Sequence, residues 1–383
     1  MSQVSDAVRW EEIKRDSATK ARVGRLITPH GEVQTPAFCP VGTLGAVKAI
    51  FKDDLASAGV QMILSNTFHL YLKPGLDVIQ HAGGLHKFAS WDLPIMTDSG
   101  GYQVFSLKNR KVTEEGVRFQ SPYDGSYHFF SPEVVIDAQR VLGSDIMVPL
   151  DVCPPYPATV AEVESAVELT YKWLLRAIEH VEKTSPLYGY NQGFYAVLQG
   201  GVYPELRERA IKEILNIGYD FSGFAIGGLS VGEPEEDMYA MTDLSTDLLP
   251  EDKPRHLLGV GTPTNILQCV MYGIDTFDCV IPTRNGRRGL LYTWKGTIYI
   301  HNSKWKYDFS PIDEESRWEG SRTYSKAFLR HLLKTNEILG FMIATVHNIF
   351  FYMDLMRKIR EHIVAGNFKE WAKEMIPILN RRL

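Results

Sequence analysis

Cysteine is scarce in this chain. Its 383 residues hold four, Cys39, Cys153, Cys269 and Cys279, so widely spaced that they form neither a CxxC pair nor a dense disulfide framework, and a reducing compartment fits best. Long apolar runs are also missing. The longest late stretch, 341–353, is interrupted by His347 and Asn348 and is too short to span a bilayer. The first residues carry Asp6, Glu11, Glu12 and Asp16 and no apolar core of the signal-peptide kind, so the expected location is cytoplasmic, with no membrane partner. A surplus of positive charge is absent too. The net charge of −5 excludes a protein that coats nucleic acid through bulk charge, so any RNA contact has to be focal. No internal repeat or low-complexity segment is present.

What is present is ordinary globular composition, 44% hydrophobic and 23% charged, which indicates neither disorder nor a membrane protein. Short apolar runs, most of them ending in a polar residue or glycine, recur at 35–41, 60–66, 94–98, 145–151, 194–199, 223–228, 256–259 and 276–281. Stretches of helical period lie between most of them, at 132–142, 160–182, 204–217, 235–248 and 263–272. Alternation of this kind predicts an α/β protein, a (β/α)8 barrel occupying 1–383 as a single domain, with a doubly wound sheet as the rival. Two insertions interrupt the pattern. One, at about 106–130, carries an Asp124-Gly125 pair that signals a hairpin. The other, at about 292–350, interleaves Lys295, Lys304, Lys306, Arg317 and Arg322 with Tyr299, Trp305, Tyr307, Trp318 and Tyr324. That mixture suits either RNA contact or a polar-faced α+β subdomain. Two helices, 324–339 and 341–365, are expected to pack it onto the barrel.

Asp278 stands out among these residues. It lies in an apolar run that reads as a buried strand, and Arg284, Arg287 and Arg288 follow within ten positions. A carboxylate there is desolvated unless it has a task, and the basic segment suggests a phosphate-bearing substrate; an acid satisfied by backbone donors at a strand end is the plainer alternative. In a barrel the C-terminal strand ends share one mouth, which would gather Asp98, Asp151, Gln199, Gly228 and Asp278.

Five segments resemble those of bacterial tRNA-guanine transglycosylases: SNTFHL at 65–70, TDSGGYQV at 97–104, IGGLSVGE at 226–233, LGVG at 258–261 and FDCVIPTR at 277–284. The match runs in order from about Val23 to Phe368. It implies exchange of guanine at the wobble position of tRNAs with GUN anticodons (Asp, Asn, His, Tyr) for a 7-deazaguanine, in queuosine biosynthesis. Replacing a base with retention is most simply done by two displacements through a covalent sugar–enzyme intermediate. By the resemblance Asp278 is the nucleophile and Asp98 the general base. Asp98, Ser99, Gly100, Gly101, Tyr102, Asp151, Gln199, Gly228, Leu229 and Leu258 would hold the base. Asp151 would accept from its ring N–H and exocyclic amine, Gln199 and the Gly228 N–H would donate to its carbonyl, Tyr102 would stack on one face and Leu258 would close the other. Leu258 stands where many members carry methionine.

Cys153, Val231 and Glu233 would set specificity. Cys153 and Val231 match the bacterial pattern and favour 7-aminomethyl-7-deazaguanine (preQ1), while Val152 and Pro154 depart from it and leave queuine salvage open. Gly259, Val260, Gly261, Thr262, Pro263, Thr264 and Asn265, with Thr283, Arg284, Asn285, Gly286 and Arg287, would contact tRNA. Where the family carries zinc cysteines this chain has Ser316, Trp318 and Ser321, with His347 retained. No structural zinc and no other cofactor is therefore expected. Trp318 would fill the vacated volume, and His347 would become a hydrogen-bonded core or interface histidine. The resemblance further implies a homodimer. A non-catalytic tRNA-binding partner and a barrel glycoside hydrolase are the competing functions. The trio Asp98, Asp151 and Asp278 argues against the first; Asp151, Gln199, Gly228 and the arginines argue against the second.

Overall fold

Eight short parallel strands carry the apolar runs: β1 (Ala37–Pro40), β2 (Ile63–Asn66), β3 (Ile95–Asp98), β4 (Ile146–Met147), β5 (Gly193–Leu198), β6 (Gly223–Ile226), β7 (Arg255–Leu257) and β8 (Thr276–Cys279). They pair in the order β1-β8-β7-β6-β5-β4-β3-β2. A parallel bridge between Val41 and Leu64 brings the two ends together, with the Gly42 N–H on the Leu64 carbonyl at 2.7 Å. This is the (β/α)8 barrel that the alternation predicts. The computed structural model describes residues 7–383, so the first six residues of the expected 1–383 domain lie outside the described residues.

Local chemistry explains the element boundaries. Helix Pro132–Leu142 starts with Ser131 accepting from the Val134 N–H and Pro132 in its first turn; it stops at Gly143, whose φ is 67°. Helix Val160–Lys183 starts with a capping box between Thr159 and Glu162. The strand expected over 145–151 pairs only at Ile146–Met147; two residues on, Pro149 has no N–H to offer a ladder. The eighth barrel helix, Ile338–Ala365, is long and apolar enough to cross a membrane, but 78% of its apolar window is buried inside this fold. The last helix, Phe368–Leu379, and a three-stranded antiparallel sheet, Arg9–Arg15, Arg22–Thr28 and Gly31–Thr35, have no counterpart in the sequence reading.

That N-terminal sheet closes the barrel floor. Val8, Trp10, Leu26 and Val33 join the interior side chains Met62, Met96, Val148 and Val197 in one buried cluster. Polar clamps fix it in place. Arg22 and Asp275, 1% and 0% exposed, form a two-bonded ion pair at 2.9 and 2.7 Å just ahead of β8. Asp145, ahead of β4, accepts from the backbone N–H of Ile95 at 2.8 Å and of His30 at 3.0 Å, and from the His30 ring.

Both insertions differ in detail from expectation. The first is a meander of three strands, Arg110–Thr113, Gly116–Gln120 and Tyr127–Phe130, one more than a hairpin; its inner side chains Val117, Phe119 and Phe130 pack with Phe68 and Trp173. The second holds the antiparallel pair Leu290–Thr293 and Gly296–Tyr299, then helices Glu319–Thr323 and Lys326–Lys334, around a core that includes Leu291, Ile298, Leu329 and Leu332. Trp318 is only partly buried and stacks on Phe350 with ring centroids 6.1 Å apart.

Candidate active site

The C-terminal strand ends open into a cavity of about 420 Å³, within the range of small-molecule sites. Asp98, Ser99, Tyr102, Asp151, Cys153, Gln199, Gly228, Leu229, Val231, Leu258, Asp278 and Arg284 all contribute to its walls. Residues from six different strand ends therefore meet at one mouth, because parallel strands in a closed barrel all point their C-termini the same way.

Asp98 ends β3. Its Oδ1 accepts the N–H groups of Thr67 and Gly100, each at 3.1 Å, and its Oδ2 accepts from Asn66 Nδ2 at 2.5 Å. Burial pushes its carboxyl up to about 7; the Thr67 bond pulls against this, and the neighbouring Asp278 adds to it. Such a group exchanges a proton near neutral pH. Asp278, inside β8 and 8% exposed, accepts from the Gly259 N–H at 3.1 Å and lies 3.1 Å from His256 Nε2. Both contacts fall on Oδ1, so Oδ2 is the oxygen free of them.

Asp151 is 7% exposed. Ser99 Oγ donates to its Oδ1 at 2.8 Å and Gln199 Nε2 to its Oδ2 at 2.7 Å, while burial pushes its carboxyl up. Gln199 Oε1 is buried without a partner among the described residues. The amide expected to donate to a base carbonyl is thus engaged with Asp151, and its second N–H is what remains to offer. Two glycines are required here. A side chain at Gly101 would meet the Asp151 carbonyl and carboxylate at 2.8 Å; one at Gly228, where φ is +69°, would strike Gln199 Oε1. Behind this wall the buried Arg207 donates to the carbonyls of Gly201 at 2.8 Å and Gly227 at 3.1 Å, fixing the peptide ahead of Gly228. Glu233 accepts the N–H groups of Ser230 and Val231, so its carboxylate is tied to the backbone of the same wall. Tyr102 is 61% exposed at the rim.

The segments expected to touch tRNA are less accessible than their order in the chain suggests. Gly259 is exposed at the cavity and Thr262 is half-buried, but Val260, Gly261, Pro263, Thr264 and Asn265 are buried. Pro263, Thr264 and Asn265 form the first turn of helix Pro263–Met271, and the Asn265 amide bonds Glu235 and Tyr239. In helix Ile281–Arg287, Thr283 and Gly286 are buried as well; a side chain at Gly286 would strike the Ala344 carbonyl at 2.7 Å. Arg284 is exposed at the cavity rim, and Asn285 and Arg287 are half-buried. The sequence reading missed Asn66 and Thr67, which hold Asp98, and His256, which holds Asp278. A histidine inside an apolar run beside the nucleophile strand was the available signal for the last.

The four positions that the resemblance assigns to zinc hold Ser316, Trp318, Ser321 and His347, so only the histidine remains. His347 is fully buried; its Nδ1 is 2.8 Å from Ser321 Oγ and its Nε2 is 2.8 Å from the Tyr292 carbonyl. Burial lowers this histidine to about 4, so it is neutral, donating to the carbonyl and accepting from the serine. Two serines, a tryptophan and an imidazole with both nitrogens engaged do not fit a tetrahedral zinc.

A family profile described as queuine tRNA-ribosyltransferase matches residues 16–380. The chain belongs to this family. Among curated relatives, the queuine tRNA-ribosyltransferase of Thermoanaerobacter pseudethanolicus (strain ATCC 33223 / 39E) is 48% identical over 369 residues, 96% of each chain. Those of Aquifex aeolicus (strain VF5) and Francisella tularensis subsp. novicida (strain U112) are also 48% identical, covering 95% and 96% of this chain and 97% and 98% of their own. Likeness at this level spans the barrel and both insertions.

Proposed function

We infer that this protein is a tRNA-guanine transglycosylase, a pentosyltransferase of queuosine biosynthesis that exchanges a guanine in tRNA for a 7-deazaguanine. The carrying observation is the placement of Asp98, Asp151 and Asp278 around one purine-sized cavity. A glycoside hydrolase has no use for Asp151 joined to Ser99 and Gln199. A non-catalytic scaffold has no use for three acids beside RNA phosphates.

The finer reading assigns roles. Asp278 Oδ2 attacks the anomeric carbon of the target ribose, and the bond to guanine breaks as Asp98, protonated, supplies a proton to the departing ring nitrogen. The incoming base then gives its ring proton to Asp98 and displaces Asp278, so two inversions yield net retention. Asp151 accepts from the ring N–H and exocyclic amine of either purine. Tyr102 and Leu258 sandwich the base, and Arg284 and Arg287 anchor phosphates of the flipped-out nucleotide.

The incoming base is preQ1, supported by Cys153 and Val231 in the cavity wall; queuine is the alternative. The tRNA acceptors are those with GUN anticodons, for Asp, Asn, His and Tyr. The enzyme works without zinc, as the donor set at Ser316, Trp318, Ser321 and His347 argues. A homodimer is supported by exposed apolar side chains on the late subdomain, among them Tyr307 and Phe309. Competition among preQ1, queuine and radiolabelled guanine on one unmodified GUN tRNA tests activity and specificity together. No exchange with any such tRNA would refute the transferase, and a preference for queuine would refute the preQ1 assignment.

A further inference from the structure

The three-stranded insertion after β3 presents an outer face that the proposed chemistry does not use. Its inner side chains, Val117, Phe119 and Phe130, are fully buried against the barrel. The alternation of strands then turns Lys111, Arg118, Tyr127 and Phe129 outward. Register places Lys111 opposite Arg118 and Arg118 opposite Phe129, in one row across the sheet. Tyr127 is 61% and Phe129 42% exposed, and the Arg118 guanidinium lies 4.6 Å from the Tyr127 ring centroid. Exposed aromatics of this size on a sheet face are unusual without a partner.

Charge along the sheet is polarised. Lys108 and Arg110 sit at the end where Gln120 meets Tyr127, whereas Glu114 and Glu115 occupy the turn at the far end, where Glu114 pairs with Lys172. The basic end is continuous with the active site. Its loop residue Tyr123 bonds His69 Nδ1 at 2.8 Å, Lys73 covers the Tyr123 ring at 4.4 Å, and His69 lines the catalytic cavity. Asp124, the acid in this loop, is tied up by the N–H and hydroxyl of Ser126.

We propose that this face is a second RNA-binding surface, on which Lys111 and Arg118 take phosphates and Tyr127 and Phe129 stack on unpaired bases of the same tRNA whose target base is in the cavity. Basic and aromatic side chains alternating on an exposed sheet match what single-stranded RNA offers, charge on the backbone and flat bases beside it. An acidic chain gains its RNA contact locally in this way. The inference rests on the tRNA-modifying function proposed above.

The test is steady-state exchange on an unmodified GUN tRNA by the exposed-residue variant Lys111→Glu/Arg118→Glu, with tRNA binding followed by fluorescence anisotropy across a salt series. The expected result is a rise in KM for tRNA of about tenfold or more and a salt slope lower by about two, with kcat and the KM for free base unchanged. Unchanged tRNA KM and salt slope would overturn the proposal. Oxidative footprinting of the wild type gives a second reading, since Tyr127 and Phe129 should become protected on adding tRNA. Protection that grows with protein concentration without RNA would assign the face to self-association and overturn it. If the wild type fails to exchange any base, the transferase reading falls, while binding and footprinting still decide this one.

Discussion

His256 Nε2 lies 3.1 Å from Asp278 Oδ1, and the other ring nitrogen lies 2.9 Å from Thr276 Oγ1. The imidazole is fully buried, between a hydroxyl and a carboxylate that project from the same strand two residues apart. With the Gly259 N–H on the same oxygen, two donors hold the carboxylate plane and leave the second oxygen for attack. Replacing His256 with alanine should therefore lower kcat on the order of 10- to 100-fold through loss of aim, with tRNA affinity kept. Single-turnover kinetics and a tRNA binding isotherm separate the two. An unchanged kcat would deny His256 a positioning role.

The pH dependence should report Asp98. Its carboxyl, raised to about 7 chiefly by burial, is deprotonated in a fraction that grows as pH rises through that value. The step in which the incoming base surrenders its proton should accelerate between about pH 6 and 8, and release of guanine, which takes a proton from the same group, should slow over the same range. Presteady-state rates of each half-reaction across that window check the opposite slopes. Asp98→Asn should abolish both limbs.

Base recognition should be separable from chemistry at Asp151. Its oxygens now accept from Ser99 and Gln199, and a purine edge would add two further donors. Asp151→Asn replaces an acceptor by a donor facing the purine amine, and hydrogen bonds to charged groups contribute about 1.5–3 kcal/mol. The KM for free guanine should rise by roughly 10- to 100-fold, with a smaller effect on tRNA binding. Equal loss in both would show that the substitution disturbs the fold.

The barrel floor makes a stability prediction. Asp145 is fully buried; burial raises its carboxyl, but the His30 hydrogen bond and the His86 ring 3.2 Å away outweigh this and hold it at about 2. A folded-state value below the unfolded one, about 3.9, contributes stability that is complete above about pH 4 and is lost as pH falls toward 2. The contribution at neutral pH is on the order of 2 kcal/mol. Asp145→Asn should lower Tm at pH 7, and the gap from wild type should narrow as the pH is brought down to about 3.

Much of the barrel was legible because short, largely apolar runs alternate with stretches of helical period; each of the eight runs contains a strand, and Asp98, Asp151, Gln199, Gly228 and Asp278 meet at one mouth. The N-terminal sheet was illegible for a physical reason. Strand Arg9–Arg15 reads RWEEIKR and buries only Trp10, so alternation gave no signal. The segments assigned to tRNA are unevenly accessible because a motif records which residues are present and not which of them face solvent: Val260 and Asn265 are buried, and Arg284 reaches the cavity rim. Asn66 and His256 escaped because their roles exist only across strands, Asn66 toward Asp98 on the paired strand β3 and His256 toward Asp278 on β8.

The most direct test of the account is capture of the covalent enzyme–RNA species on a denaturing gel with unmodified GUN tRNA and a reactive analogue of the incoming base. The wild type should give a band that shifts by the mass of the tRNA and disappears on chase with guanine, and Asp278→Asn should give none while binding tRNA within a few-fold of wild type. A band of equal intensity from Asp278→Asn, or exchange by that variant at near wild-type rate, would contradict the assignment of Asp278 as the nucleophile.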